Sequence, residues 1–421
     1  MPTPAPSPAI ANFTDVAEKA GLTALNVFGG VDTKKYIIET TGTGVAIFDY
    51  DNDGWPDIFV VNGTTLEGFP ANQTPTNHLY HNNHDGTFTD VSMQSGVGKP
   101  LSKGMGVVLA DFDNDGWPDI AIANDTWPNF LFLNNHDGTF RDASFDSGIA
   151  ASEDGRYEAG MGIDAADVDG DGLLEIYVTH LALESNRLYK NNRNGSFDDI
   201  SFAAGIGGQA RFLSGVAAQF LDYDNDGWED ILQLNGAMED NIQLYQPGIS
   251  YPEPKLMFRN LGHGRFEVVS AKLGPDFLRP VVGRGLAVGD FDNDGNLDFV
   301  TNNRGDYPEL LRNDGGSGNN WLTVRLIGSK SNRDGIGSSI RLVAEGFAQV
   351  KQSKGGMSYM SASDPRIHFG LGKRVKIESL EVTWPSGIVD KINGIAANQF
   401  VTVKEGMGIV PGNFQRVRWK S

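Results

Sequence analysis

Short apolar runs separated by polar turns fill most of this chain, and they recur in a fixed order. One copy shows the unit plainly. GVVLADF, from Gly106 to Phe112, is an apolar run of strand length that leads into an acidic loop. Ile120 to Ala123 and Asn129 to Leu133 supply two more strands, and after the turn NNHDG a fourth begins at Phe140. Acidic loops start at residues 49, 111, 167, 222 and 290, so the units are 55 to 68 residues long, the length of a four-stranded blade with generous loops. The pattern predicts an all-β chain of repeated blades arranged as a β-propeller.

The acidic loops carry the clearest chemistry. DYDNDGWPD, from Asp49 to Asp57, has carboxylates at positions one, three, five and nine and glycine at six, the ligand order of a compact calcium loop. The candidate metal ligands are Asp49, Asp51, Asp53 and Asp57 with the carbonyl of Trp55; Asp111, Asp113, Asp115 and Asp119 with Trp117; and Asp167, Asp169, Asp171 and Glu175 with Leu173. The last two sets are Asp222, Asp224, Asp226 and Asp230 with Trp228, and Asp290, Asp292, Asp294 and Asp298 with Asn296. Position seven offers backbone, so its side chain is free to vary. Four acids within nine residues repel one another unless a cation sits among them. About five Ca²⁺ are expected, mainly structural, because each loop wraps its ion and leaves few coordination positions for substrate.

Charge and composition narrow the partners. The 421 residues include 54 acids against 34 lysines and arginines, a formal charge of −20. Phosphate would be repelled, so no nucleic acid is expected. The candidate ligand positions hold 20 of the acids, and five Ca²⁺ would halve the excess. Without cysteine there are no disulfides, so packing and metal must hold the fold. No stretch approaches the roughly 20 apolar residues of a membrane span, and MPTPAPSPAI is not a signal sequence. The chain is expected to be soluble, either intracellular or secreted with its signal removed.

Residues 1–12 read as a mobile tail. FTDVAEKAGL, Phe13 to Leu22, matches the segments that end later units: FTDVSMQSGV at Phe88, FRDASFDSGI at Phe140 and FDDISFAAGI at Phe197. An N-terminal copy of a last strand predicts closure of a ring, by completing the final blade. Residues 321–405 read as six to eight further strands, including WLTVRLI, SSIRLVAE, RIHFGLG and SLEVTWP. These make two more blades of a favoured seven-bladed ring; a small sandwich packed on a five-bladed ring is the competing layout. Residues 406–421 form a C-terminal tail.

The DxDxDGxxD loops of residues 13–314 resemble the FG-GAP, or VCBS, repeats of integrin α-chain propellers. WLTVRLIG at Trp321, SNRDGIGSSIRL from Ser331, GGMSYMSASDPRIHFGLG from Gly355 and LEVTWPSG from Leu380 resemble the ASPIC and UnbV domain of the cartilage acidic protein family. The resemblance implies a calcium-binding propeller, and its natural-product relatives keep a cyclase or isomerase in view.

Strand order places the calcium loops and the NNxxG turns on one face of the ring. The connections after second strands and between blades fall on the other, and they are the segments that differ between units. Candidates for acid–base chemistry there are His180, Glu184, Asp125, Asp240 and Arg304, with Trp127 as a stacking surface for a sugar or an aromatic ring. Arg304 and Asp306 of the RGD tripeptide are expected to pair locally. No GxSxG elbow, Walker loop or HExxH motif occurs. Two functions remain: a module that binds a protein, glycan or small molecule on the face opposite the calcium loops, or a cofactor-free enzyme with its pocket at the axis of that face.

Overall fold

A computed structural model describes residues 14–24, 44–63, 76–98, 101–315, 318–412 and 414. Five antiparallel sheets repeat the expected unit. The first holds β1 (Val45–Phe48), β2 (Asp57–Val60), β3 (His78–Asn82) and β4 (Phe88–Asp90). The second holds β5 (Gly104–Ala110), β6 (Asp119–Asn124), β7 (Phe130–Asn134) and β8 (Phe140–Asp142). The third holds β9 (Ile163–Ala166), β10 (Glu175–Val178), β11 (Arg187–Asn191) and β12 (Phe197–Asp199). The fourth holds β13 (Gly215–Leu221), β14 (Asp230–Asn235), β15 (Leu256–Asn260) and β16 (Phe266–Val268). The fifth has only three strands among the described residues: β17 (Gly283–Gly289), β18 (Asp298–Asn303) and β19 (Glu309–Leu311).

In each sheet the strands run up and down in chain order. The first strands of neighbouring sheets lie side by side, β1 with β5, β5 with β9, β9 with β13 and β13 with β17. Cores form between blades. Phe59, Leu79, Val107 and Ile122 pack in one apolar cluster of blades one and two, and Val108, Leu131, Ile176 and Tyr189 in one of blades two and three. Because both faces of these strands are covered, they read as continuous apolar runs; β5 is buried throughout. The acidic loop between first and second strands turns on Asn52, Asn114, Asn225 and Asn293 at φ 56° to 59°, followed two residues later by a glycine at φ 91° to 100°.

The C-terminal region departs from the favoured layout. Strands β20 (Asn320–Ile327), β23 (Ile367–Gly372), β26 (Gln399–Lys404) and β27 (Gly408–Val410) form one sheet in the order β23-β20-β26-β27. Strands β21 (Ser339–Ala344), β22 (Phe347–Gln352), β24 (Lys376–Thr383) and β25 (Val389–Ala396) form another, in the order β22-β21-β24-β25. β20 pairs with β26 in parallel, which an up-and-down blade does not allow. The two sheets share one core, with Leu322, Val324, Leu342, Phe369, Leu380 and Val403 fully or nearly fully buried. They form a two-sheet sandwich, the competing layout, and the expectation of seven blades is corrected accordingly.

The expected closure is also revised. Phe13 lies outside the described residues. Of the remainder, Ala17–Ala20 is one helical turn (α1) rather than a strand, and no sheet closes through it.

Residues 353–366 of the sandwich run down the axis of the blades and touch the first strand of every one. Gly355 bridges Leu109 of β5 and lies 3.1 Å below the Ile47 carbonyl of β1, measured from an ideal Cβ. Ser358 N–H donates to Ile163 O of β9 (2.7 Å), and Ser363 Oγ donates to Gln219 Oε1 of β13 (2.6 Å). Leu286 and Val288 N–H of β17 donate to Ser361 and Ser363 Oγ (both 2.9 Å).

Candidate functional site

The five acidic loops are built alike. The position-one carboxylate takes two backbone N–H groups of its own loop: Asp49 from Asp53 and Gly54 (3.0 and 2.9 Å), Asp111 from Asp115 and Gly116 (3.0 and 2.9 Å), Asp222 from Asp226 and Gly227 (3.0 and 2.8 Å). The position-nine carboxylate ties the loop to the third strand. Asp119 accepts Phe112 N–H and Asn134 N–H (both 2.8 Å), and Asp230 accepts Tyr223 N–H and Asn260 N–H (3.2 and 2.7 Å). Glu175 does the same from Val168 and Asn191 with its longer arm (3.0 and 3.4 Å).

These acids are buried or half-buried, and burial pushes their carboxyls up, helped by the neighbouring acids. Asp57 and Glu175 reach about 8, Asp49 and Asp298 about 7, and Asp111, Asp167 and Asp290 about 6. Asp119, Asp222 and Asp230 stand well above the carboxylate range for the same reason. Three position-three oxygens, Asp51 Oδ1, Asp113 Oδ1 and Asp292 Oδ1, are buried without a hydrogen bond. In four loops the carboxylate oxygens converge within 4.8 Å of one another, for example on Asp49, Asp51 and Asp53 or on Asp167, Asp169 and Glu175. Unsatisfied hard oxygens in a shared pocket are the donor set that Ca²⁺ fits.

Two features escaped sequence reasoning. The first is the asparagine that ends each third strand. Asn134 Nδ2 donates to the Tyr50 carbonyl (2.9 Å), Asn191 to Phe112 (2.7 Å), Asn260 to Val168 (2.8 Å) and Asn313 to Tyr223 (2.7 Å). Each acceptor is position two of the preceding blade's loop, so these residues stitch blade to blade. The recurring NN dipeptide was the available signal. The second is the residue before that asparagine. Lys190 pairs with Asp169 and Asp171, Arg259 with Asp224 and Asp226 (both 2.9 Å), and His81 lies 3.3 Å from Asp51. Loop two has Leu133 at this register and instead meets His136, 2.5 Å from Asp115.

The sandwich covers this face. Phe347 packs edge-on against Trp228 (5.4 Å), Gly295 backs onto Trp321, Val350 lies near Gly172, and Lys330 O near Gly54. Gln352 takes Asp111 N–H and donates to its carbonyl (2.9 and 3.0 Å). Lys351 pairs with Glu229 and Lys354 with Asp164. A cavity of about 480 Å³ remains between blades and sandwich, lined by both β1 (Val45, Ile47) and β17 (Val288, Gly289).

On the opposite face the structure brings Asp125, His180 and Glu184 together around an ion pair absent from the sequence reading. Arg187 is bidentate to Glu158 (2.7 Å twice) and reaches Asp199 (2.8 Å). His180 is buried 4.0 Å from Glu158, and burial together with Arg187 holds its imidazole down to about 3, so it is neutral. Burial raises Asp125 and Glu184 to about 6; Glu184 accepts Ala159 N–H (2.9 Å), and Asp125 Oδ1 has no hydrogen bond. Trp127 is partly exposed with Lys103 over its ring at 5.7 Å. Asp240 and Arg304 sit on blades four and five, apart from this group. The expected local pair of the RGD tripeptide is corrected: Asp306 binds Arg279 (2.9 Å).

The architecture and the loops define the class. Residues 49–122 and 111–178 match the FG-GAP-like repeat, and residues 328–409 match the ASPIC and UnbV family. The chain is therefore an FG-GAP-like repeat protein with an ASPIC and UnbV domain. It is similar to cartilage acidic protein 1 of Xenopus tropicalis, 28% identical over 359 residues that cover 82% of this chain and 52% of that one. It is also 28% identical to human cartilage acidic protein 1 over 335 residues, 75% of this chain and 46% of that one. The chain thus spans about half the length of these relatives. Among solved structures, a Burkholderia pseudomallei lectin, BP39L, aligns with TM-score 0.40 and 11% identity over 84% of this chain and 98% of that one. An Agrocybe aegerita lectin that recognises non-reducing terminal N-acetylglucosamine aligns at 0.38 and 18%, over 74% and 80%. Among the described residues no helix is long and apolar enough to cross a membrane.

Proposed function

We propose that this chain is a binding module, stabilised by about five Ca²⁺, that presents the face opposite its calcium loops to an extended ligand such as a glycan chain or a protein surface. The observation that carries the reading is a set of exposed aromatic side chains on that face. Trp127, Tyr157, Phe212, Tyr245 and Tyr307 all stand on connections after second strands or between blades, and Tyr307 is 84% exposed. Stranded aromatics spread over four blades suit a broad ligand, which can use several of them at once. The sandwich supports the reading from the other side, since it occupies the loop face and its residues 353–366 take up the axis.

The enzyme reading has less to rest on. The two larger cavities among the described residues, of about 480 and 790 Å³, are lined by none of His180, Glu184 or Arg304, and the neutral His180 is shut away from solvent. A glycan microarray and a cross-linking capture from extracellular matrix, run with the parent and with a Trp127→Ala/Tyr157→Ala/Tyr307→Ala variant, test the proposal. Ligands held by the parent should be lost by the variant at unchanged melting temperature. Equal retention by both would place binding elsewhere.

A further inference from the structure

One position, six residues ahead of the first acid of each loop, falls where the chain enters the first strand, at the axis and on the face opposite the loops. In blades two, three and four it is Met105, Met161 and Val216, all buried in one core with Tyr359 of the axial segment. Blade five has Arg284 there, and the counterpart in blade one lies outside the described residues. Arg284 is the extra residue of a β-bulge, between Gly283 paired with Asn303 and Gly285 paired with Asn302. A bulge of this kind re-aims a side chain. Beside it the axial segment turns back: Met360, at φ 46° and 62% exposed, has its carbonyl 3.9 Å from an ideal Cβ at Gly285.

The Arg284 guanidinium is half-buried and lacks a charged partner. Three of its five N–H groups donate to backbone carbonyls, Gly283 O (2.6 Å), Ala237 O (3.1 Å) and Gly236 O (3.2 Å), and none reaches a carboxylate among the described residues. The acid that acts on it from further off, Glu253, is fully buried, and burial pushes its carboxyl up to about 8, so it is mostly protonated at neutral pH. Arg304 brings like charge instead. Its backbone N–H donates to Val282 O (2.8 Å), its side chain is exposed, and the nearby Asp306 is taken by Arg279 (2.9 Å). Burial lowers the Arg284 guanidinium, and Arg304 lowers it further against the pull of Tyr251 and Tyr359. Holding a half-buried cation without a partner is costly, and two neighbouring cations at an open mouth are relieved by an anion.

We propose that Arg284 and Arg304 form a carboxylate-binding subsite at the axial mouth, which takes a uronic-acid residue of an otherwise neutral glycan. This rests on the binding reading of the same face. A guanidinium fork matches a planar carboxylate through two parallel bonds. Tyr251, whose carbonyl accepts Ala237 N–H (3.2 Å), and the exposed Tyr307 stand on the same two connections as the arginines and their carbonyl partners, and offer rings to the sugar. A densely charged polyanion fits less well, because a chain of formal charge −20 repels it everywhere else.

Ligand-observed NMR on the full chain, with methyl glucuronide, methyl glucoside and N-acetylglutamate as probes, tests the assignment. The parent should hold the glucuronide about tenfold more tightly than either of the others, the worth of one charged bidentate contact. Arg284→Met, which installs the residue of blades two and three, should keep the melting temperature and bring the two sugars close to equal. Arg304→Gln, at an exposed position, should lower the preference about threefold. A parent that binds both sugars alike, or variants that keep its preference, would overturn the subsite and leave the binding reading of the face standing. N-acetylglutamate held as tightly as the glucuronide would overturn the glycan assignment in favour of an acidic peptide. If no probe binds, the subsite is overturned, and the glycan microarray decides separately whether the face binds a glycan at all.

Discussion

His368 Nε2 lies 2.6 Å from Asn225 Oδ1, in a fully buried joint between the sandwich and the loop of blade four. Thr323 Oγ1 holds the other ring nitrogen at 2.8 Å, and Gly372 N–H donates to Asn225 O at 2.8 Å. Asn225 in turn donates to the Gly295 carbonyl of blade five (3.0 Å). One asparagine thus connects two acidic loops to the sandwich.

The joint should be sensitive to acid. Burial, with Lys351 and Arg366 nearby, lowers the His368 imidazole to about 3 from an ordinary 6.5, and His180 is lowered similarly. Both are therefore neutral in the fold, and the unfolded chain takes up their protons first. Their contribution is complete above about pH 6.5 and is lost as pH falls toward 3, at up to about 1.4 kcal/mol per pH unit for each histidine. Urea unfolding of the parent and of His368→Gln between pH 7 and 5 should show a shallower pH slope in the variant.

Gly370 leaves no room for a side chain. A methyl there would overlap Asp222 Oδ2 and lie 2.6 Å from Asn225 Cα. Gly370→Ala should destabilise the joint by about 3 kcal/mol or more, as overpacking against fixed backbone does. Limited proteolysis should release an intact sandwich early, because its own core does not include this contact.

Removing metal should loosen blades and sandwich together. Each ion that binds only the fold contributes about 2.7 kcal/mol at 100-fold saturation. Strong chelator should lower the melting temperature by many degrees and shift the emission of Trp228 and Trp321, which lie where the loops meet the sandwich. An unchanged melting curve would remove the structural role of calcium.

The stitching asparagines should differ in worth by position. Asn260 is fully buried and donates to Val168 and Glu229 carbonyls while accepting Gly262 N–H (2.9 Å). Losing three buried hydrogen bonds should cost about 3 kcal/mol in Asn260→Ala. Asn82, which among the described residues donates to Pro56 of its own blade (2.9 Å) and accepts His84 N–H, should cost about 1 kcal/mol by the same reckoning. Equilibrium unfolding of the two variants measures the difference.

The blades were legible because their period, loops and apolar runs are local properties, and strands near Gly106, Ile120 and Phe140 appear within two residues of where the pattern puts them. The acidic loops, with their carboxylates gathered in one place, were legible for the same reason. The sandwich was not, since WLTVRLI and FVTVKEG look like neighbours in any blade, and only their parallel pairing reveals the crossover. Nor could alternation announce that Lys351, Gln352 and Lys354 turn their heads toward blades that precede them by well over 100 residues. His180 read as an accessible base because its rarity and its neighbours were visible while its burial was not.

Residues 353–366 also impose an order on assembly. They are synthesised after all five blades, and their side-chain bonds to the blades span from 73 to 190 residues of chain. Until they emerge, the first strands surround a void, and a ribosome-bound chain would display those apolar edges to its surroundings. Such distant contacts make for slow folding. The blades, though made first, reach their final arrangement only when the last fifth of the chain arrives.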